Sequence, residues 1–310
     1  MRIAGICACL PERTVANEAK VAAATGIVTR RIAAEGTTVV DLCVKAAERV
    51  MSDTGSKPED FGAILCVSFT SRDRMPAAAI QAQARLGLPK AIVAFDVSLA
   101  CSGWGYGLYL AGLLARETGK KVLLLDGDVQ SAFTGDDEST VPLLGDAGTA
   151  TVVESGTGKW AFGFVADGEK GGALRLSHGE SIKMDGFGVF RFVAADVVAC
   201  IKDFQASVNR TIEQSPNRTM TFVPHQPNAY MVRQLAKSAG IDEARTAISC
   251  DELGNLSSAS VPVTLARVGA ANERRDRLTL LAGFGGGLSA SAALLTLNAD
   301  TVFENVDSGD

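Results

Sequence analysis

Several features that define other classes of protein are scarce in this sequence of 310 residues. No apolar run reaches the roughly 18 residues that a membrane-spanning helix needs, and the first residues lack the leader of a signal peptide. Lys and Arg total 30 against 35 Asp and Glu, a net charge of −5. Nucleic-acid backbones require clustered cations. We therefore expect a cytoplasmic protein that binds neither membranes nor nucleic acids.

Histidine and paired cysteines are also scarce. The seven cysteines are scattered, and no pair has the Cys-x-x-Cys spacing that is typical of zinc sites. The only histidines are His178, in a polar loop pattern, and His225. We predict no metal site. Most of the cysteines are best interpreted as small buried side chains, but Cys101 stands between an apolar strand and a helix rich in small residues.

Glycine, by contrast, is abundant at 32 residues, and 47% hydrophobic with 21% charged residues is a globular composition. A chain of this length predicts about two domains. Apolar strand-like runs alternate with helical patterns along the whole sequence, which predicts α/β architecture with sheets covered on both faces. Because the two halves are similar in length and rhythm, we place the domains at 1–160 and 161–310, although no sequence repeat is visible.

The individual elements follow from hydrophobic periodicity. The predicted strands cover residues 2–9, 63–68, 91–97, 121–126, 149–153, 161–165, 220–223, 278–282 and 291–296. The predicted helices cover residues 37–52, 76–86, 102–117, 187–213, 228–239 and 258–268.

Cys101 is the first candidate for chemistry. It follows the predicted apolar strand 91–97 and precedes a helix that begins near Ser102. The positive end of the helix dipole favours a thiolate there, so we expect the pKa of the thiol to fall below its usual value of about 8.5. Taken alone, a cysteine in this position is a nucleophile or an inert core residue.

Three further segments are ambiguous one at a time. His225 follows an apolar strand and is either structural or catalytic. Asn255, after Gly254, fits an ordinary turn and helix cap. The run Phe284–Gly287 suggests backbone pressed against another group, without the lysine or spacing of a phosphate-binding loop.

Together these segments resemble the ketoacyl-ACP synthase III family over nearly the whole chain. The residues that carry the resemblance are Thr25–Ile27, Arg30–Ala33, Cys101, Leu144–Ala150, Met184–Gly186, Val189–Phe192, Val223–Gln226, Gly254–Asn255, Ser258–Pro262 and Phe284–Gly287. The resemblance implies a five-layered αβαβα thiolase-like fold of two related halves, usually a homodimer.

The resemblance also implies an activity, the decarboxylative condensation of a cysteine-bound acyl group with malonyl-ACP to give 3-oxoacyl-ACP. It implies no cofactor beyond the substrates, which are acyl-CoA or acyl-ACP and malonyl-ACP, and an acyl carrier protein as partner. The implied residues are the catalytic Cys101, His225 and Asn255; the oxyanion donors Cys101 and Gly286; the acyl-pocket residues Met75, Leu144 and Phe284; and the carrier-docking residues Arg191, Arg233 and Lys237.

The sequence departs from the family at the coenzyme A clamp. The Trp and two Arg residues of well-known members align with Lys20, Ala24 and Glu138. The acyl donor is therefore expected to bind differently or to arrive on a carrier protein. Arg72 and Arg74, which flank the predicted acyl-pocket segment, fit either a solvated loop or recognition of a dicarboxylic primer, as in synthases that supply biotin precursors.

Two other functions stay open on the sequence alone. A thiolase-fold acyltransferase would move an acyl group to oxygen or nitrogen, and a carboxylate in place of Asn255 would suit that chemistry better. A non-catalytic subunit paired with another synthase could lose the Cys-His-Asn set without penalty, so the intact set argues against it.

Overall fold

A six-stranded mixed sheet organises the first half of the chain. The computed structural model describes residues 1–158, 160–213, 220–271 and 276–309. From edge to edge the strands of this sheet are β14 (Val302–Asp307), β1 (Arg2–Leu10), β7 (Ala147–Glu154), β6 (Lys121–Asp128), β4 (Phe61–Val67) and β5 (Val93–Val97). β7 is antiparallel to β1 and β6, whereas β6, β4 and β5 are parallel.

The second sheet repeats this topology. Its strands, in order, are β11 (Met220–Pro224), β12 (Arg277–Gly285), β13 (Ser289–Leu297) and β8 (Ala161–Ala166). β13 is antiparallel to both neighbours and β11 is parallel to β12. Beyond β11, Phe222 forms a parallel bridge with Thr246, which takes the place that β5 has in the first sheet. Two related halves are therefore visible in strand order and direction.

Helices separate and cover the two sheets. The helix α4 (Gly103–Thr118) and the helix α9 (Ser260–Ala270) lie between the sheets, in the largest apolar cluster. The helices α2 (Val39–Asp53) and α3 (Ala78–Arg85) cover the outer face of the first sheet. The helices α6 (Val198–Glu213) and α7 (Ala229–Ser238) cover the second. These layers form the five-layered αβαβα arrangement of the thiolase fold.

Shorter elements complete the described chain. They are β2 (Thr14–Ala16), α1 (Ala19–Thr25), β3 (Thr29–Arg31), β9 (Leu174–Arg175), β10 (Lys183–Met184), α5 (Gly186–Phe192), which continues through a π-helical turn (Val193–Val197) into α6, and α8 (Cys250–Leu253). Short 3-10 turns cover Pro58–Asp60, Gln130–Phe133, Val141–Leu143, Gly168–Ala173, Glu243–Arg245 and Ser257–Ala259.

Local sequence explains how α4 reaches its central position. Small residues on this helix let its backbone approach β4, since a Cβ at Gly103 would lie 2.5 Å from Cγ1 of Val67 and one at Gly107 would lie 2.7 Å from Cγ2 of Val67. Larger residues there would push the helix away from the sheet. The turn that carries Cys101 is thereby held against the ends of the strands.

All of the predicted strands and helices are present, with ends within about three residues of the structure. The sequence prediction missed β14, and this strand pairs in parallel with β1. The predicted boundary at 160/161 falls immediately before β8, but the last strand of the second range completes the sheet of the first.

Candidate active site

Cys101 lies in the turn between β5 and α4, where a cavity of about 290 Å³ reaches it. The residue is 7% exposed. The turn after β12 presses on it from the other side, because a Cβ at Gly285, whose φ is +153°, would lie 2.9 Å from Sγ. Both halves of the chain therefore shape the surroundings of this sulfur.

The expected low pKa of the Cys101 thiol is wrong. Burial, assisted by the charge of Asp128, raises the pKa of Cys101 to about 11. The Ser257 side chain and the backbone N–H groups of Gly286 and Cys101 act in the opposite direction. Desolvation of the anion outweighs these dipoles because the thiol has almost no contact with water.

The two predicted oxyanion donors converge on this sulfur. The N–H groups of Cys101 and Gly286 both favour negative charge at Sγ, and both residues line the cavity. Donors aimed at the nucleophile are close to the oxygen of a carbonyl that the nucleophile attacks. The geometry is compatible with the predicted oxyanion hole.

His225 follows β11 and is 2% exposed. Its backbone N–H donates to the backbone carbonyl of Ala282 at 2.6 Å. Nδ1 of its ring lies 2.7 Å from Oγ of Ser260. The centroids of the His225 and Phe284 rings are 5.1 Å apart, in an edge-to-face arrangement. Burial lowers the pKa of His225 to about 3, so the imidazole is neutral near pH 7.

Asn255 lies on the cavity wall with its amide held in one orientation. Its Oδ1 accepts the N–H of Ser257 at 2.9 Å. Its main chain is fixed by Leu143, whose carbonyl accepts the Asn255 N–H at 2.8 Å, and by Gln130, whose Nε2 donates to the Asn255 carbonyl at 2.8 Å. Because Oδ1 is engaged, the Nδ2 end of the amide is the end left to donate to a ligand.

Ser257, which sequence reasoning missed, contacts all three predicted catalytic residues. Its Oγ lies 4.0 Å from Sγ of Cys101, its N–H holds Asn255, and its carbonyl interacts with the His225 ring. Its φ of 54° is the only positive φ of a non-glycine residue in the described ranges. The only sequence signal for it is the group of serines at positions 257, 258 and 260, which follows the predicted turn at Gly254 and Asn255.

Two buried carboxyl groups at the end of β6 were also missed. Oδ1 of Asp128 accepts from Ser68 Oγ, Thr70 Oγ1 and two N–H groups at 2.9 to 3.2 Å. Burial raises the pKa of Asp128 to about 6. Burial also raises the pKa of Asp126, which accepts from Ser258 Oγ at 2.5 Å. The sequence signal for them is an acidic residue at the last position of the predicted strand 121–126 and another two residues later.

The predicted acyl-pocket residues lie in three different places. Leu144 lines the cavity, together with other apolar residues. Phe284 packs against His225 and lies outside the cavity wall. Met75 is 84% exposed on the surface before α3. The larger apolar side chains of the cavity wall are Phe69, Leu99, Leu144, Leu174, Leu176, Ile182 and Met184.

The predicted docking residues lie on two helices. Arg191, on α5, stacks its guanidinium 5.9 Å from the Phe187 ring. Arg233 and Lys237 lie one turn apart on α7. Arg233 forms a salt bridge of 2.8 Å with Glu243, which follows the helix. All three docking residues are exposed. Among the other predicted positions, the exposed residues include Arg72, Arg74 and the clamp positions Lys20, Ala24 and Glu138.

In the described ranges, no three side chains of His, Cys, Asp or Glu come together as a metal site would require. None of the helices described combines the length and apolarity needed to traverse a bilayer.

Comparisons with known proteins agree with this architecture. Residues 95–168 match the family model described as 3-oxoacyl-ACP synthase III, and residues 213–297 match the model of its C-terminal part. The beta-ketoacyl-ACP synthase III of Natranaerobius thermophilus is 33% identical over 87% of this chain and 88% of its own. That of Oceanobacillus iheyensis is 34% identical over 90% of each chain.

A solved structure is similar over nearly the whole chain. The 3-oxoacyl-ACP synthase from Burkholderia xenovorans superposes with a TM-score of 0.90, at 30% identity over 99% of this chain and 96% of its own. The fold and the site thus define a thiolase-fold protein with a cysteine at the base of a cavity between two related halves. The chain belongs to the 3-oxoacyl-ACP synthase III family of acyltransferase-class condensing enzymes.

Proposed function

We propose that this protein condenses a cysteine-bound acyl group with malonyl-ACP, releasing CO2 and 3-oxoacyl-ACP. The observation that carries the proposal is the Asn255 amide, whose Oδ1 is tied to Ser257 so that Nδ2 is available at the wall of the Cys101 cavity. The two relatives from Natranaerobius thermophilus and Oceanobacillus iheyensis are both named beta-ketoacyl-ACP synthase III, which is the activity proposed. They do not favour the acyltransferase or dicarboxylic-primer alternatives.

In the first half-reaction the sulfur of Cys101 attacks the carbonyl carbon of an acyl thioester. The N–H groups of Cys101 and Gly286 stabilise the oxyanion, and the donor thiol leaves. Preorganised donors of this kind typically contribute about 2.7–4 kcal/mol each. The raised pKa of Cys101 keeps the resting sulfur a thiol near pH 7, so its proton is lost in this step and leaves on the departing donor thiol.

In the second half-reaction malonyl-ACP enters and loses CO2. The neutral His225 and the Asn255 amide donate to its thioester oxygen and stabilise the enolate. The enolate carbon then attacks the acyl carbonyl on Cys101, and the C–S bond breaks. Neutral donors suit this step because a carboxylate at position 255 would repel the developing anion.

No cofactor is required for these steps, and the acyl donor is an acyl-CoA or an acyl-ACP. The exposed Lys20 and Ala24 on α1 provide neither the aromatic ring nor the guanidinium of the family's adenine clamp. This favours a donor whose recognition does not depend on adenine, such as an acyl-ACP. Fatty acid synthesis is the pathway that such a reaction would initiate.

Docking of an acidic carrier protein is assigned to Arg191, Arg233 and Lys237. Their exposed cations would steer an acidic partner despite the net charge of −5. Charge reversal of Arg233 and Lys237 should raise KM for malonyl-ACP several-fold while leaving Cys101 acylation by acyl-CoA unchanged. An unchanged KM for malonyl-ACP would place the docking surface elsewhere.

A homodimer completes the proposal. β5 is an edge strand of the described sheet, and Val93 on it is 40% exposed. The exposed Met75, by the family resemblance, reaches the acyl pocket of a second copy. Native mass spectrometry should show a dimer, and a Val93→Lys substitution on the edge should weaken it. Full activity of a monomer would contradict the assignment of Met75 to the acyl pocket of a second copy.

The first test of the reaction uses intact-protein mass spectrometry with a panel of acyl-CoA and acyl-ACP donors. We expect an adduct on the wild-type protein that is absent in Cys101→Ser. Malonyl-ACP should then discharge it as 3-oxoacyl-ACP. An adduct that malonyl-ACP fails to discharge would refute the condensation and favour transfer to another acceptor.

A further inference from the structure

Besides Cys101, five polar side chains line the cavity: Ser98, Gln130, Thr140, Arg175 and Asn255. Ser98 and Arg175 are exposed, so water can satisfy their polar atoms. Thr140 is buried and donates its hydroxyl hydrogen to Asp137 at 2.8 Å, and Asn255 already has a role in the proposed reaction. Gln130, at the start of the 3-10 turn after β6, is 3% exposed and has no role in that reaction.

The orientation of the Gln130 amide is fixed by two carbonyl oxygens. Its Nε2 donates to the carbonyl of Gly145 and to the carbonyl of Asn255, both at 2.8 Å. Carbonyl oxygens only accept hydrogen bonds, so the nitrogen end of the amide must face them. Both amide hydrogens are used in this way, and Oε1 points away from these two partners.

Oε1 of Gln130 is an acceptor without a protein donor. No donor in the described ranges lies within hydrogen-bonding distance of it. It is not one of the fully enclosed polar atoms that lack a partner, so it remains accessible. Because the side chain is almost wholly buried and lines the cavity, the accessible space at Oε1 is the cavity itself. A buried and firmly held acceptor therefore faces the bound substrate.

The position of Gln130 brings Oε1 to the acyl chain of acyl-Cys101. The amide is bonded to Gly145, the neighbour of Leu144, and Leu144 lines the cavity at the place that the family resemblance assigns to the acyl pocket. An acyl chain that fills this place displaces water from Oε1. An unsubstituted chain offers no donor in exchange, and a carboxylate would bring its own lone pairs against those of Oε1. A hydroxyl group donates a hydrogen bond and carries no charge.

We propose that Gln130 is a specificity-determining residue that selects a hydroxyacyl thioester, a primer with a hydroxyl group on its acyl chain. The hydroxyl donates to Oε1 and replaces the water there. This inference rests on the proposed condensation, because it concerns the chain that Cys101 carries between the two half-reactions. Sites built to hydrogen-bond a substrate hydroxyl reject the analogue that lacks it, because the protein group is then left unpaired.

Acylation of Cys101 by four-carbon donors on one carrier protein tests this selection. Intact-protein mass spectrometry gives the second-order rate constants for butyryl-ACP, succinyl-ACP and the 2-, 3- and 4-hydroxybutyryl-ACPs. We expect the best hydroxybutyryl donor to react about 10- to 100-fold faster than butyryl-ACP. Equal rates would overturn the proposal. A faster reaction with succinyl-ACP would also overturn it, in favour of an ion pair between the primer and Arg175.

Gln130→Met keeps the length of the side chain and removes the amide oxygen. The preference for the hydroxybutyryl donor should fall to less than about threefold, because no strong acceptor is left for the hydroxyl. The variant also loses the bonds from Nε2 to Gly145 and Asn255, so the ratio of the two rates is the readout. Equal slowing of both donors with the ratio unchanged would show that Gln130 only supports the main chain, and would overturn the proposal.

Thr140→Val is the matched control. It changes another buried residue of the same cavity wall, whose hydroxyl is already bonded to Asp137, and it should keep the wild-type preference. Loss of the preference in Thr140→Val, with the preference retained in Gln130→Met, would overturn the assignment to Gln130. If Gln130→Met does not fold, the rate ratio of the wild-type protein still decides.

Failure of the condensation gives a different result. Adducts that form with the expected preference but are not discharged by malonyl-ACP contradict the proposed function and support the selection by Gln130. Adducts that form without preference and are discharged as 3-oxoacyl-ACP contradict only the role of Gln130.

Discussion

At the scale of single residues, burial controls the chemistry around Cys101. The thiol, His225 and Asp128 are all almost inaccessible to water, and each is shifted towards its neutral form. Loss of hydration penalises every charged form in such a place. The site therefore rests with few charges, and hydrogen-bond direction decides what each residue can do.

The position of Asp128 predicts the pH dependence of Cys101 alkylation. Its negative charge raises the pKa of the thiol, so Asp128→Asn should lower that pKa. The iodoacetamide rate at pH 8.5 should rise about 3- to 10-fold, because more thiolate is present below the wild-type midpoint near pH 11.

Asp126→Asn is the control for that measurement. Burial raises the pKa of Asp126 well above its ordinary value, and Asp126 is not among the groups named as shifting the pKa of Cys101, so its substitution should leave the alkylation rate unchanged. A slower alkylation in Asp128→Asn would show that the carboxylate assists the thiol instead of opposing it.

Asn255 gives a second prediction at this scale. Asn255→Ala should slow malonyl decarboxylation by about 10²–10³-fold, since one donor to the enolate is lost, while Cys101 acylation continues. Asn255→Asp should be slower still, because a carboxylate repels the enolate. Single-turnover mass spectrometry measures both steps, with the exposed Asn305→Ala on β14 as control. Equal slowing of acylation and discharge would contradict a role confined to the second step.

At the scale of elements, the turn after β12 restricts the space around Cys101. Gly285→Ala would place a Cβ 2.7 Å from Cβ of Cys101, at a φ of +153° that L-residues avoid. We expect a loss of about 1–3 kcal/mol in stability, as for overpacking elsewhere, and a strong loss of acylation. Thermal denaturation and adduct formation are the measurements.

Gly168→Ala, where nothing lies within 4 Å of the added Cβ, is the matched control in the same half. Wild-type acylation in Gly285→Ala would mean that this turn yields easily and does not fix the sulfur.

The elements also show what could be predicted from the sequence. Buried strands such as β4 and β6 are long apolar runs, which periodicity identifies well. β14 was missed because Glu304 and Asn305 interrupt its pattern, as suits an edge strand with one wet face. The motifs located Cys101, His225 and Asn255, but the helix-dipole argument gave the wrong thiol pKa.

The remaining site residues depend on contacts that sequence position does not reveal. Ser260 meets His225 across 35 positions, and Ser257 meets Cys101 across 156. Such pairs form only when α9, α4 and the end of β11 pack together. The burial that raises the thiol pKa likewise arises from the β12 turn, which is distant in sequence.

At the scale of the whole molecule, β14 binds the end of the chain to its beginning. The strand pairs with β1 from Gly5 to Leu10. Phe303 on it packs against the central cluster, with the Arg277 guanidinium 5.6 Å from its ring. The two halves are thus joined by a shared sheet as well as by the layer of α4 and α9.

Truncation tests this arrangement. A chain that ends at Asp300 loses the β1 partner and the Phe303 contacts, and should be less stable by at least about 2 kcal/mol, given roughly 1.5–3 kcal/mol for each large apolar side chain that is buried. A chain that ends at Asp307 keeps the whole strand and should melt near wild type. Urea denaturation compares the two, and equal midpoints would contradict the role assigned to β14.

The place of β14 in the chain has a consequence for biosynthesis. During translation β1 emerges early and can pair with β7 on one side, but its other edge has no partner until the entire second sheet has left the ribosome. At roughly 5–20 residues per second this wait lasts on the order of ten seconds or more. An open strand edge of Ile, Ala and Cys side chains invites pairing with other chains. Newly made molecules should therefore depend on chaperone shielding until the final strand arrives.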